Sequence, residues 1–149
     1  MSTNKLGILK TEVQEELVSN ILPFWIGKMI DARDGGFYGR IDGSGQVYNG
    51  ADKGCVLNAR ILWTFSAAFR ILKNADYLKT AERSKDYLLE QFFDKEYGGV
   101  FWLLDHEGKM KDGKKQIYAQ AFAIYGLTEY SRVTNDRKCL DKAIELFRL

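Results

Sequence analysis

Gly35-Gly36-Phe37-Tyr38 returns as Gly98-Gly99-Val100-Phe101, a shift of 63 from position 35 to 98, and Asn58-Ala59 returns as Gln120-Ala121, a shift of 62 from position 58 to 120. The register persists further along. Arg70 falls on Arg132, Leu78 on Leu140 and Ala81 on Ala143, each again shifted by 62. A match that runs through a Gly-Gly turn, two helical patterns and their connection marks an internal repeat.

Each copy of the repeat contains one strongly apolar helix and one polar-faced helix. From Asp52 to Leu72 the chain is apolar almost all round, which predicts a helix enclosed on most sides. Tyr77 to Phe93 is amphipathic instead, with Leu78, Ala81, Leu88 and Phe92 opposed by Lys79, Glu82, Arg83 and Asp86. Gln116 to Val133 and Asp136 to Leu149 repeat that alternation. Ahead of the first copy, Thr11 and Gln14 read as a capping box opening a helix that carries Val13, Leu17 and Ile21. Pro23 is expected to kink or restart that helix, and Asp34-Gly35-Gly36 to stop it. Phe37 to Ile41 and Gln46 to Tyr48 flank Asp42-Gly43-Ser44-Gly45 as a short hairpin, and Val100-Phe101-Trp102-Leu103 opens a second.

Alternating enclosed and half-exposed helices suit an all-α toroid of helical hairpins, the (α/α)6 barrel, with short β-hairpins between pairs. An open helical solenoid gives the same alternation locally. Six pairs at this period need about 372 residues, whereas the chain has 149 and about five helices. Residues 1–149 are therefore expected to be the N-terminal part of one barrel domain, marginally stable or aggregation-prone without more protein.

Composition narrows the function. With 22 basic and 20 acidic residues mixed along the chain, a formal charge of +2 leaves no footprint for nucleic acid or an anionic membrane. No secretory core opens the sequence and no apolar run is read as approaching the roughly 18 residues of a membrane span, so a cytoplasmic protein is expected. Cys55 and Cys139 lie in apolar helical patterns without Cys or His at ligand spacing, so they read as core residues and no metal is expected. His106, the only histidine, falls in the turn Asp105-His106-Glu107-Gly108, which excludes a histidine-based triad or multi-histidine site within these residues.

Val56, Arg60 and Trp63 share one face of the first apolar helix. Arg60 is the anomaly, because a guanidinium inside so apolar a run needs either an interhelical carboxylate or a wet cavity. The 62-residue shift lays Tyr118 on Val56, Phe122 on Arg60 and Tyr125 on Trp63, an aromatic stripe facing the same way. Rings that stack on sugar C–H faces, beside a phenol and a guanidinium that bond hydroxyls, suit a carbohydrate. Asp31, Asp34, Asp42, Asp94, Glu96 and Asp105 could supply a glycosidase pair, but turn and capping roles account for them better.

The stretch Asp52-Lys53-Gly54-Cys55-Val56-Leu57-Asn58-Ala59-Arg60-Ile61-Leu62-Trp63-Thr64-Phe65 resembles the first inner helix of the cellobiose-acting branch of the N-acylglucosamine 2-epimerase superfamily. Pro23-Phe24-Trp25, Gly35-Gly36-Phe37-Tyr38-Gly39, Glu96 to Trp102 and Tyr118 to Tyr125 extend the resemblance over nearly the whole chain. It implies an (α/α)6 barrel that inverts C2 of the reducing-end glucose of cellobiose, lactose or cello-oligosaccharides without a cofactor. Ring opening, proton removal by one histidine, an enediolate, rotation about C2–C3 and reprotonation from the other face are the implied steps. Two histidines serve as acid and base.

Residue by residue, the resemblance makes Arg60 the catalytic arginine at the C1/C2 oxygens and Tyr118 a substrate contact, with Phe122 one turn further on as a ring contact. The family's catalytic histidines, stacking tryptophans and a glutamate belong to later helices, and His106 matches none of them, so these 149 residues alone are expected to be inactive. The other readings are an N-acylglucosamine 2-epimerase or mannose isomerase of the same superfamily, and a noncatalytic helical-repeat or sugar-binding protein.

Overall fold

A computed structural model describes residues 2–149, with side chains from Lys5 onward, and divides the chain into two compact units, one ending at Ile30 and one beginning at Asp31. The first unit is a run of helix: α1 (Ser2–Glu16), a π-helical turn (Leu17–Ile21) and α2 (Leu22–Lys28). Thr11, expected to cap a helix start, lies inside α1, where its Oγ1 donates to the Gly7 carbonyl at 3.1 Å. Nothing ahead of Thr11 stops a helix, and a threonine in an already helical chain turns its hydroxyl back one turn. Pro23 does restart the helix. It sits in the first turn of α2, directly after the π-helical turn in which Leu22 N–H reaches back to Leu17, a widening that accommodates the missing Pro23 N–H and its ring.

The second unit holds two helical pairs, α3 (Cys55–Leu72) with α4 (Ala75–Tyr87), and α5 (Ile117–Thr134) with α6 (Arg137–Phe147); a π-helical turn, Leu88–Phe92, prolongs α4. The repeat is realised down to its joints. Both α3 and α5 have 18 residues and end in a left-handed residue, Lys73 (φ 57°) and Asn135 (φ 60°). The next residue caps the outer helix. Asn74 accepts Asp76 N–H at 2.9 Å and Asp136 accepts Lys138 N–H at 2.9 Å. Leu62, Phe65, Ala81, Leu88, Leu127 and Ala143 meet in the core.

Strand is scarce, as an all-α chain predicts. The segment expected to begin α3 instead forms β1 (Lys53–Gly54), which pairs antiparallel with β2 (Leu103–Leu104), and β2 pairs with β3 (Met110–Asp112) around the Asp105–Gly108 turn. The hairpin expected at Phe37–Tyr48 shrinks to one bridge, Ile41 to Val47, because Gly39, Gly43 and Gly45 offer the ladder no side chains to pack.

Two expectations about the inner helices change. Over its 18 residues α3 has a mean hydropathy of 1.3, long and apolar enough by length and composition to cross a membrane, contrary to the sequence reading. Half of it is nevertheless buried between α4 and α5, including the polar Asn58 and Ser66, as befits a core helix. Helix α5, expected to be enclosed, exposes Ile117, Tyr118 and Tyr125. It packs mainly on α3 and α6, and among the described residues nothing covers its remaining face.

Candidate functional site

Where α3 and α5 run side by side, their closest approach is set by Gly126. A Cβ there would fall 2.7 Å from the Ala59 carbonyl oxygen and 3.2 Å from Leu62, so only a hydrogen fits between the helices. That approach brings matched positions of the repeat into contact. Trp63 and Tyr125 stack with centroids 4.8 Å apart and planes at 11°. Phe122 meets Tyr125 edge-on at 6.3 Å and Tyr118 at 4.9 Å, giving a continuous row of four rings. The Arg60 guanidinium lies 5.9 Å from the centroid of Phe122.

These residues and Thr64 line an open cleft of about 400 Å³. Arg60, Tyr118 and Phe122, the three residues singled out from the sequence, thus fall together. Trp63 and Tyr125 join them, whereas Val56, expected on the same face, is not in the lining. Arg60 is exposed rather than enclosed, and among the described residues it has no carboxylate partner. An interhelical ion pair does form between α3 and α5, but Arg70 makes it, with its Nε 2.7 Å from Glu129 Oε1. Arg60 is left with an aromatic face, a wet cleft and free donors. Thr64 and Gly126 escaped the sequence reading, although Thr64 follows Arg60 by four residues and occupies the position that Gly126 matches.

The acidic residues serve the turns. Asp31 accepts the N–H groups of Arg33 and Asp34, Asp42 those of Ser44 and Gln46, Asp94 those of Glu96 and Tyr97, and Asp105 those of Glu107 and Lys109. Burial pushes Asp31 up, but the Asp34 N–H and Lys53 outweigh it and its carboxyl is held low. The Ser44 hydroxyl lowers Asp42, the Lys115 ammonium brings Asp94 to about 2, and the Lys109 N–H lowers Asp105. A glycosidase acid must be raised toward neutrality, so none of these four has the character of one.

Cys55 and Cys139 are free and buried, and burial is the first cause pushing each thiol to about 12, which leaves no thiolate nucleophile at neutral pH. Among the described residues no three His, Cys, Asp or Glu side chains gather at metal-binding distance. His106 is half-buried on the β2–β3 turn and is not in the cleft lining.

The cleft sits on a segment with clear relatives. Cellobiose 2-epimerase of Bacteroides fragilis is 53% identical over 94% of this chain, which spans 36% of that protein. The solved structure of cellobiose 2-epimerase from Bacillus thermoamylovorans superposes with a TM-score of 0.93 at 43% identity, over 96% of this chain and 37% of that one. That from Spirochaeta thermophila gives 0.93 at 38% identity, over 98% and 36%. The chain therefore spans a little over a third of the length of these relatives, and its helical pairs are those of an (α/α)6 barrel. Residues 36–148, which contain both helical pairs and the whole cleft, match the N-acylglucosamine 2-epimerase (GlcNAc 2-epimerase) family, and the chain belongs to that family.

Proposed function

We propose that the chain forms the oxyanion-binding wall of a cytoplasmic sugar epimerase that inverts C2 of the reducing-end glucose in β-1,4-linked disaccharides. Cellobiose would become glucosyl-mannose and lactose epilactose. The observation that carries this reading is Arg60: a guanidinium without a carboxylate partner among the described residues, held at the mouth of a cleft walled by four aromatic rings. The similarity to cellobiose 2-epimerases supports the disaccharide substrate over a monosaccharide.

In this mechanism the open-chain sugar lies along the rings, with Phe122 and Tyr118 against its C–H faces. Removal of the C2 proton sends negative charge onto the C1 oxygen, giving the enediolate. Arg60, whose donors are free among the described residues, turns them to that oxygen and stabilises the charge, a contribution of up to roughly 3 kcal/mol by analogy with other cleft donors. Rotation about C2–C3 presents the opposite face for reprotonation. Proton removal and return need groups that titrate near neutrality, which the cleft lining does not contain. They are assigned to histidines outside these 149 residues, in the protein that carries this chain. No cofactor enters the scheme.

The test is incubation of that full-length protein separately with cellobiose, mannose and N-acetylmannosamine in deuterated water. Conversion of cellobiose to its mannose epimer, with one solvent deuteron at C2, is the expected result. Preferential conversion of mannose or N-acetylmannosamine would overturn the disaccharide assignment, and inertness toward all three would overturn the enzyme reading.

A further inference from the structure

Each inner helix begins without a side-chain cap. Gly54 precedes α3 and Gln116 precedes α5, and neither side chain bonds the helix's free N–H groups. Something else must hold these first turns, and in α5 the first turn carries the cleft residue Tyr118. In both repeats a lysine one residue before that N-cap position reaches back to the aspartate that organises the Gly-Gly turn. Lys53 Nζ donates to Asp31 Oδ2 and to the Gly35 carbonyl, both at 2.7 Å, and Lys115 Nζ donates to Asp94 Oδ2 at 2.7 Å. The two lysines are related by the 62-residue shift and the two aspartates by 63. Asp31 N–H donates to the Gly36 carbonyl at 3.2 Å and Asp94 N–H to the Gly99 carbonyl at 2.9 Å, so each turn is closed by its own aspartate.

The second clasp carries a helix start that, among the described residues, packing holds only through the buried Ala119. Ile117 is 84% exposed and Tyr118 60% exposed. The turn itself is shaped to let the anchors cross it. At Gly99 (φ +76°) a Cβ would stand 3.3 Å from Lys115 Cδ and 3.2 Å from Gln120 Oε1, and Gln120 makes the companion tie, accepting Val100 N–H and donating to its carbonyl, both at 2.8 Å. Lys115 also lies 4.3 Å from the Phe101 ring centroid, which narrows the paths its ammonium can take.

We infer that Lys115, clasped to Asp94, is a positioning residue that fixes the first turn of α5 and thereby places Tyr118 in the sugar cleft. The role of Tyr118 in substrate contact rests on the function proposed above; the anchoring does not. The clasp holds the helix start while leaving Tyr118 itself uncovered for a ligand. Lys115 touches no substrate in this scheme.

The experiment compares Lys115→Met, Asp94→Asn and Lys115→Arg with the wild type in the full-length protein, by amide hydrogen exchange and by steady-state kinetics on cellobiose. Lys115→Met and Asp94→Asn are expected to speed exchange across residues 119–122, the first hydrogen-bonded amides of α5, by on the order of tenfold, as a freed helix end opens locally. They should raise KM by roughly 3- to 10-fold with kcat nearly kept, a loss of substrate placement rather than of the chemical step. Lys115→Arg should restore both. Unchanged exchange at 119–122 overturns the inference, and so does a fall in kcat at constant KM, which is what a smaller folded fraction gives. If the wild type leaves cellobiose untouched, the proposed function fails while the exchange comparison still decides the anchoring.

Discussion

The starts of α3 and α5 are built from one plan and live in opposite surroundings. Lys53 and Asp31 are each 1% exposed at their side chains, whereas Lys115 and Asp94 are 34% and 10% exposed. Cys55, the first residue of α3, is fully buried; Ile117, at the matched place in α5, is 84% exposed. The cause is the β2–β3 hairpin. It pairs with β1 and accepts Cys55 N–H at the Trp102 carbonyl, covering the start of α3, while among the described residues no strand lies over the start of α5. The same ion pair is thus a buried lock in one repeat and a surface clasp in the other.

The largest effect should come from breaking the lock. Lys53→Met leaves Asp31 charged and sealed from water, a situation that typically costs about 3–5 kcal/mol. Arg83, which donates to the Gly36 and Asp31 carbonyls, does not replace the lost ammonium. Lys115→Met should lower stability far less, since water reaches that lysine. Urea unfolding of the two variants measures the gap, and equal losses would break the contrast between the two helix starts.

Arg60→Ala comes next, and its effect should be on rate. Because Arg60 is exposed and makes no ion pair among the described residues, its removal should leave the melting temperature nearly unchanged. Turnover should fall by up to about 100-fold, corresponding to the roughly 3 kcal/mol expected of such a donor. Phe122→Ala, at the matched position on α5, should chiefly raise KM. Parallel loss of melting temperature and activity in Arg60→Ala would make the arginine structural.

Much of this contrast was legible in the chain and part of it was not. The repeat showed at Arg70/Arg132, Leu78/Leu140 and Ala81/Ala143 because core positions on packed helices demand residues of similar size and polarity. Arg60 stood out because charge is costly in an apolar run. The Lys–Asp clasps were invisible since their partners lie about 21 residues apart, across a hairpin, with no periodicity to announce them. Gly126 escaped notice because a glycine inside a helix announces no partner, and only the Ala59 carbonyl opposite it explains why no side chain fits. Thr11 misled because a threonine three residues ahead of a glutamine caps a helix only where the preceding chain is not helical.

Gly126→Ala should have an intermediate effect and sharpens the comparison along the helices. The added methyl must push α5 away from the Ala59 carbonyl, an overpacking cost of roughly 1–3 kcal/mol. Thr64, the matched residue of α3, faces the cleft and should accept alanine at little cost. With Trp25 and Trp102 replaced by phenylalanine, lost fluorescence anisotropy of Trp63 would report a loosened Trp63–Tyr125 stack. Acid should distinguish the clasps as well. Lys115, then the N–H groups of Tyr97 and Glu96, hold Asp94 at about 2 against an ordinary 3.8. A carboxyl lowered in the folded state stabilises it fully above the ordinary value, and the contribution disappears as pH falls from 3.8 toward 2. The stability difference between wild type and Asp94→Asn should therefore shrink over that window and vanish below it.

The smallest effect should be at the helix starts themselves. Ile117→Gln removes a side chain that is 84% exposed, so little burial is lost and the change should stay within about 0.5 kcal/mol. Cys55→Gln at the matched position puts an amide into a site with no exposure, where a longer polar side chain must displace packed neighbours and find hydrogen bonds that the thiol never needed. Thermal melts of the pair in this chain isolate the contribution of the β2–β3 cover. If Ile117→Gln is as damaging as Cys55→Gln, then Ile117 is buried in solution and the second helix start is covered after all, most simply by a second copy. In that event Lys115 and Asp94 would be buried too, and Lys115→Met should then approach the cost of Lys53→Met.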